Sequence, residues 1–375
     1  MKRALRTMTT MFRFRMWLLL AALQILGSGR LLAATYYVGS CHSGSFATIS
    51  EAVSSVPPGS TVKVCPGGYQ EQVTITQPLT LEGISSGNYG QVNIVPPASG
   101  DIANVFTVTA PPYLDASGYQ LCAQVLVQNA GPVNISNIAI NMINSNCGNL
   151  AGIFYASGSS GTLNQVSVQS VTTSSATGVG IWAENGNGTR ESVTIENSSV
   201  SYVDNTGIFV ASSQTPPTLT ATVKGNSVNM KPGSMAGIAA LGSAGTMANN
   251  IVSGVYAAGP QYAIYDASSL TAVTSNVLIN PAFNGILVAV DGATIKSNSI
   301  IGAATYGIWL NGSNTKATVV ESNNITGSSV GIEFSCNMGT VSGNTISAGY
   351  GLDSVPAGFT GSNVFVNTPL IKTGC

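Results

Sequence analysis

Charge is what this sequence most lacks. Asp, Glu, Lys and Arg make up 7% of its 375 residues, against about 25% in an ordinary soluble domain. A typical charged cytosolic globule is thereby excluded. Disorder is excluded too, because hydrophobic residues account for 44% of the chain and are spread along it. Histidine occurs once, as His42. With no second His and no CxxC there is no donor set for zinc, and neither a metal nor any other cofactor is expected. His42 stands beside Cys41 with no acid close in sequence, which reads as a structural or surface residue rather than a general base. Beyond residue 34 no apolar run approaches the roughly 20 residues that a spanning helix needs, so no membrane span is expected.

The amino terminus has its own composition. Lys2, Arg3, Arg6, Arg13 and Arg15 precede the apolar run Trp17 to Leu26, and the small pair Ala33-Ala34 follows. This is the pattern of a secretory leader cleaved near Ala34. The chain is therefore read as a leader at 1–34, an N-terminal cap with the first coil or coils at 35–97, and a repeat domain at 98–375 continuous with the cap. The expected destination is extracellular, periplasmic or at the cell surface. Past the leader only seven cations remain against all fourteen acids. That balance argues against nucleic acid, whose phosphates need a basic surface. Cys41, Cys65, Cys122, Cys147, Cys336 and Cys375 all lie in the exported part. An even count in an oxidising compartment points to disulfides, and the clustering favours the local pairs 41/65, 122/147 and 336/375.

From residue 133 onward one pattern recurs. Its first half is clearest in Val223/Asn226/Val228, Met247/Asn250/Val252, Val273/Asn276/Leu278, Ile295/Asn298/Ile300, Val320/Asn323/Ile325 and Val341/Asn344/Ile346, with degenerate copies such as Ile195/Ser198/Val200 before them. The second half is a Gly-Ile pair, as in Gly180-Ile181, Gly207-Ile208, Gly285-Ile286 and Gly307-Ile308, relaxed once to Ala263-Ile264. Nine matched halves imply nine coils, with successive Gly-Ile positions 20 to 30 residues apart. That period suits a solenoid and is too short for a βαβ crossover. Short strands of Val, Ile and Thr broken by Gly, Ser and Asn fit it, so each coil should carry three short strands and bury one column of Ile or Val per strand. The result is an all-β parallel β-helix, in which nine coils at about 4.8 Å make a rod of roughly 45 Å. The Asn column is expected to be a structural ladder of amides, and the Gly before each Ile a corner residue.

The segment from Tyr36 to Pro97 differs. Thr48-Ile49-Ser50-Glu51 is a capping box, and Ile49, Ala52, Val53 and Val56 share one face, so a short amphipathic helix is expected to run to about Val56 before Pro57-Pro58-Gly59. It would cover the open end of the sheet stack, tied to the first coil by the 41/65 disulfide.

At these residues the chain resembles the pectin-lyase-like superfamily of right-handed parallel β-helices. The run from Phe46 to Gly83, FATISEAVSSVPPGSTVKVCPGGYQEQVTITQPLTLEG, looks like the N-terminal module of pectinesterases, and the Asn and Gly-Ile coils look like that superfamily's short repeats. The resemblance implies the fold. The chemistry it would imply is missing from the sequence: no Gln-Asp-Thr motif, no Gly-His-Gly or Arg-Ile-Lys run, and one Arg past the leader with six scattered Asp.

Two candidate sites remain. Period-two alternation turns the residue after each Ile outward, giving the column Phe154, Trp182, Phe209, Ala239, Tyr265, Leu287, Trp309, Glu333 and Asp353. Five of these nine are aromatic. Stacked rings along a rod suit sugar faces, although a loop, a tail or a partner could equally cover them. The second candidate is the charged run Glu184, Arg190 and Glu191, either an acid/base spot or a solvated turn with a surface ion pair. A further outward column, Thr162, Thr194, Thr222, Thr246, Thr294 and Thr340, leaves an ice-binding solenoid as a remote alternative. The reading favoured is a secreted, non-catalytic rod that binds extracellular or cell-wall polysaccharide, ahead of a polysaccharide lyase, esterase or hydrolase.

Overall fold

The computed structural model describes residues 33–85, 91–98, 105–108, 119–142, 148–173, 177–254, 261–268, 270–290, 292–312, 318–336, 339–356, 361–368 and 371–373. The leader expected at 1–34, apart from Ala33 and Ala34, lies outside them. So do Cys147 and Cys375, and with them one half of each expected pair 122/147 and 336/375. The chain winds through three parallel sheets of 12, 12 and 13 strands, called I, II and III here, in the repeating order I, II, III. This is the expected right-handed parallel β-helix. The nine coils read from the repeat are present, from Val133–Ser136 of sheet I to Tyr350–Val355 of sheet III. Two more precede them: Ser60–Val64, Gly67–Gln70 and Val73–Ile75, then Leu79–Gly83, Val92–Val95 and Tyr119–Val127. The one antiparallel pairing among the described strands sets Val105–Val108 against Tyr119–Val127.

Helix α1 (Ile49–Ser55) sits at the N-terminal end, with Ile49, Ala52 and Val53 buried. Only half of the capping box forms. Thr48 accepts the Glu51 amide at 3.1 Å, whereas the amides of Ile49 and Ser50 go to the carboxylate of Glu71, each at 2.8 Å. A carboxylate from the first coil thus satisfies two helix N-terminal donors and pins the cap to the solenoid. Cys41 is bonded to Cys65, with Cα atoms 5.7 Å apart. Cys122 and Cys336 are also disulfide-bonded. No described helix is long and apolar enough to cross a membrane.

Inside, the Gly-Ile motif builds the column it was expected to build. Ile181, Ile208, Ile238, Ile264, Ile286, Ile308 and Ile332 are in register across sheet III and all buried. The glycines before them are not corners. None has a positive φ, and the register passes over them from Val179/Thr206 to Ile181/Ile208. A Cβ on Gly180 would stand 2.5 Å from the Gly207 carbonyl oxygen and would strike Val200, and Gly307 meets the same kind of obstacle in Gly331 and Ile325. Glycine is required here because the strand packs tightly against the next coil, both its sheet II side chain and its sheet III backbone.

The left-handed positions lie one residue before the ladder instead. Asn197, Gly225, Asn249, Ser275, Ser297, Ser322 and Gly343 have φ between 50° and 66°. They turn the chain so that Ser198, Asn226, Asn250, Asn276, Asn298, Asn323 and Asn344 are buried at the corner between sheets I and II. The ladder spends every polar atom of these amides. The Oδ1 of Asn298 accepts the backbone amide of Asn276 at 3.0 Å and its side-chain amide at 2.9 Å. The Nδ2 of Asn298 donates to the Asn323 Oδ1 and to the Val273 carbonyl, each at 2.9 Å. The same pattern runs on to Asn363, one coil beyond the repeat read from sequence.

One inward column carries an acid. Asp266 lies between Ala240 and Val288 in an inward column and is fully buried. Its Oδ1 accepts the Ser268 amide at 3.1 Å, but Oδ2 has no partner among the described residues. Burial pushes the carboxyl up to about 7, against the smaller opposing effects of the Ser268 amide and Thr271.

These buried polar groups set two measurable stabilities. Replacing Asn298 with Ala strands the Asn276 amide and the Val273 carbonyl, and should cost about 2–4 kcal/mol in urea denaturation, since buried groups left unpaired carry their full desolvation penalty. Because the folded carboxyl of Asp266 titrates above its unfolded value, its contribution is present in acid and lost as pH rises through about 7. Asp266→Asn should therefore match the parent in melting temperature near the acid end and exceed it above pH 7. An equal difference at both ends would contradict the burial argument.

Candidate functional site on the outer face of sheet III

The strand register sets the column read from alternation in a single stack: Phe154, Trp182, Phe209, Ala239, Tyr265, Leu287, Trp309, Glu333 and Asp353 are successive partners. Its two ends differ. Phe154, Trp182 and Phe209 belong to a second apolar cluster, separate from the solenoid core and buried like it, together with Leu121, Leu126, Val179 and Leu241. The Trp182 ring meets Phe154 at 5.6 Å and Phe209 edge-on at 5.0 Å. These rings are spent on packing.

Further along the rod the rings are half-exposed and come in pairs. Tyr262 and Tyr265 stand 5.5 Å apart, and Tyr306 and Trp309 stand 5.3 Å apart, both tilted. Tyr262, Tyr306 and Tyr350 belong to a parallel column that runs Tyr262, Asn284, Tyr306, Val330, Tyr350. A tyrosine thus recurs every second coil, about 10 Å apart at the spacing of adjacent strands. Plain alternation misses this column. Counting back from inward Ile308 makes Gly307 outward and Tyr306 inward, but the glycine and the isoleucine both face the core, so the phase slips and Tyr306 emerges beside Trp309. The signal that could have found it is the glycine, read as a bulge rather than a corner.

Polar groups frame the second ring pair. Trp309 donates its indole N–H to the Ser335 hydroxyl at 2.7 Å, and the Ser335 amide donates to Glu333 at 2.9 Å. Glu333 and Asp353 are register partners on adjacent coils, the first largely buried and the second half-buried. Burial first, then the nearby charges of Glu333 and Asp353, raise the Tyr306 hydroxyl above the usual phenol range. Ring faces, a phenol and two carboxylates therefore share one stretch of the sheet's outer side.

The charged run at 184–191 is built differently from either expectation. Glu184 is buried at the end of its strand, and its Oε2 and the indole nitrogen of Trp182 lack hydrogen-bond partners among the described residues. Burial lifts the Glu184 carboxyl to about 8, with the neighbouring Trp182 indole opposing. Glu191 accepts the Gly158 amide at 2.7 Å and the Thr189 hydroxyl at 3.2 Å, and burial raises it too. Arg190 is exposed and makes no ion pair among the described residues. No group of three or more His, Cys, Asp or Glu among the described residues could hold a metal.

Residues 179–346 match the family model described as the right-handed β-helix region. Comparison with curated protein sequences gives no match. Among solved structures, a GH136 lacto-N-biosidase from Eubacterium ramulus is 12% identical with a TM-score of 0.53, covering 93% of this chain and 69% of its own. A pectin methylesterase from Aspergillus niger is 14% identical with a TM-score of 0.44, covering 74% and 85%. A mannuronan C-5 epimerase A-module from Azotobacter vinelandii is 15% identical with a TM-score of 0.44, covering 86% and 93%. At its identity the likeness to the lacto-N-biosidase is one of fold.

The state of Glu184 can be read directly. In a Trp309→Phe variant starting at Thr35, Trp182 is the only indole, and its fluorescence should titrate with a midpoint near pH 8, set by the carboxyl beside it. Adding Glu184→Gln should flatten the curve. A midpoint in the ordinary carboxylate range would show that Glu184 is solvated.

Proposed function

We propose, from the premise that the chain is a right-handed parallel β-helix of the pectin-lyase-like fold, that it is an exported rod which binds polysaccharide along the outer face of sheet III. The observation that carries this reading is the pair of half-exposed ring clusters, Tyr262 with Tyr265 and Tyr306 with Trp309, two coils apart on a stiff backbone. Sugar rings present CH faces that pack on aromatic rings, and about 10 Å is a span on the scale of two linked sugars. Asn284, between Tyr262 and Tyr306 in the same column, is buried, and its Oδ1 has no hydrogen-bond partner among the described residues. One contact of roughly 1 kcal/mol binds little; several in line give useful affinity.

A second reading has its own support. Glu333 and Asp353 stand opposite each other on adjacent coils beside Tyr306, and paired carboxylates at a sugar-binding surface are the usual means of glycosidic bond cleavage. Release of reducing ends or of unsaturated product from a bound glycan would favour an enzyme over a non-catalytic rod.

The binding reading separates two tryptophans that belong to one column. Tyr306→Ala with Trp309→Ala should abolish retention on immobilised glycan while leaving the far-UV spectrum and melting temperature close to the parent's. Trp182→Ala should instead lower stability by about 3–5 kcal/mol, the range for removing a large buried ring. Normal retention by the first variant would refute the platform.

A further inference from the structure

Sheet II is set apart by what its strands lack. None of the twelve holds an Asp, Glu, Lys, Arg or His. Sheet I, by contrast, carries Lys63, Glu82, Glu196, Lys224, Lys296 and Glu321, and sheet III carries Glu184, Asp266, Glu333, Asp353 and Lys372. From Ser167–Gln169 to Thr345–Ser347 every strand of sheet II buries its middle residue and leaves the two beside it half-exposed or exposed. Those outward positions are Ser, Thr, Asn or Gln with four exceptions, Ile251, Val277, Ile279 and Ile301. The four are contiguous: Ile251 is the register partner of Val277, Val277 and Ile279 share a strand, and Ile279 is the partner of Ile301. Ile251 is 47% exposed and Ile301 43%, and Phe283, in the corner that follows Ile279, is 53% exposed.

We propose that the chain dimerises through sheet II, in an isologous contact centred on Val277 and Ile279. A purely parallel sheet is ordinarily covered on both faces, and two faces of short side chains pack at about 10 Å with their rows interdigitated. A second copy fits where other partners do not. A charged protein finds no ion here to pair with, and a sugar finds no aromatic ring at the outward positions of these eight strands. Sheets I and III apposed to themselves would set like charges together, and past the leader the chain has seven cations against fourteen acids, so copies repel except where the surface is neutral. Eight strands at about 4.8 Å, each about 10 Å wide, make a face of roughly 400 Å², so a symmetric pair buries about 800–1,000 Å² with its corners included. That lies below the standard size and sets a weak, reversible dimer. Sheet III stays open on each copy, so the pair presents two ring platforms.

The test is sedimentation equilibrium on the chain from Thr35. A monomer–dimer equilibrium should appear with a dissociation constant on the order of 10 µM, and it should hold or tighten in about 1 M salt because no ion pair spans the contact. Ile251→Lys with Ile301→Lys should weaken it about tenfold or more, as should Ile251→Glu with Ile301→Glu. Mixing the two variants should restore dimers at low salt, a rescue that facing patches give and a folding defect does not. Thr246→Lys, on the exposed side of sheet I, should change nothing. Tyr306→Ala with Trp309→Ala should dimerise like the parent, which separates this test from the glycan reading. If a variant fails a far-UV check, Asn229→Lys with Asn324→Lys, at exposed polar positions of the same face, takes its place. A parent that stays monomeric to about 300 µM, or a dimer indifferent to these lysines, overturns the proposal.

Discussion

A coil in this fold is not stable by itself. Apart from the antiparallel pairing of Val105–Val108 with Tyr119–Val127, each described strand of the coils finds its backbone partners in the coils before and after it, so the hydrogen bonding of a coil is completed along the axis. The Asn ladder applies the same rule to side chains. Asn250, Asn276, Asn298, Asn323 and Asn344 each accept two bonds from one neighbouring coil and donate to both neighbours, in buried surroundings where an unmatched amide would be costly. This sets the register at one corner of the rod. A coil displaced by one residue would leave a full amide unpaired there and push its Ile column out of the core.

That constraint explains how much was legible in the residues. The Asn and Gly-Ile spacings repeat because every coil must present the same atoms at the same height, so the three sheets, the nine coils and the stack from Phe154 to Asp353 could be read directly. The helical cap was readable from Thr48 and the apolar face behind it. What could not be read is local. Whether Gly307 turns a corner or makes room for Ile325 depends on the neighbouring coil, and that difference decides which way Tyr306 points. The buried state of Trp182 and the half-exposed state of Trp309 are likewise invisible in a column of equivalent positions. Glu184 looks like part of a solvated turn because acids and glycines follow it, yet the Ser157 hydroxyl that accepts the Gly186 amide at 2.7 Å and the Gln214 amide on the Gly186 carbonyl at 2.9 Å draw the loop inward.

Low charge makes the position of each remaining charge informative. On sheet I the charges are arranged as cross-coil pairs, Lys63 with Glu82, Lys296 with Glu321 and, in register, Lys224 with Glu196. Exposed pairs of this kind contribute little to stability, but alternating signs avoid like charges stacked at about 4.8 Å. Sheet III breaks the practice. Glu333 and Asp353 are placed opposite one another, an arrangement that stacking alone would disfavour, and the Asp353 strand pairs in turn with Ile371–Thr373, which carries Lys372.

An unfavourable placement in an otherwise regular repeat marks a position where the fold's demands have been set aside. Asp266 and the Glu333–Asp353 pair both qualify, and they differ in what surrounds them. Asp266 faces inward among Ala240, Val288 and the small hydroxyls of Ser268 and Thr271, closed off from any ligand, so its cost falls on stability alone. The carboxylate pair stands on the outer side beside two half-exposed rings, one of them fixed through Ser335. A polyhydroxylated chain bound as proposed on Tyr306 and Trp309 would cover the rings and could donate hydrogen bonds to these acceptors. The acceptors and the half-exposed rings therefore fit the same proposed kind of ligand, which is a stronger argument for a binding face than either feature would make separately.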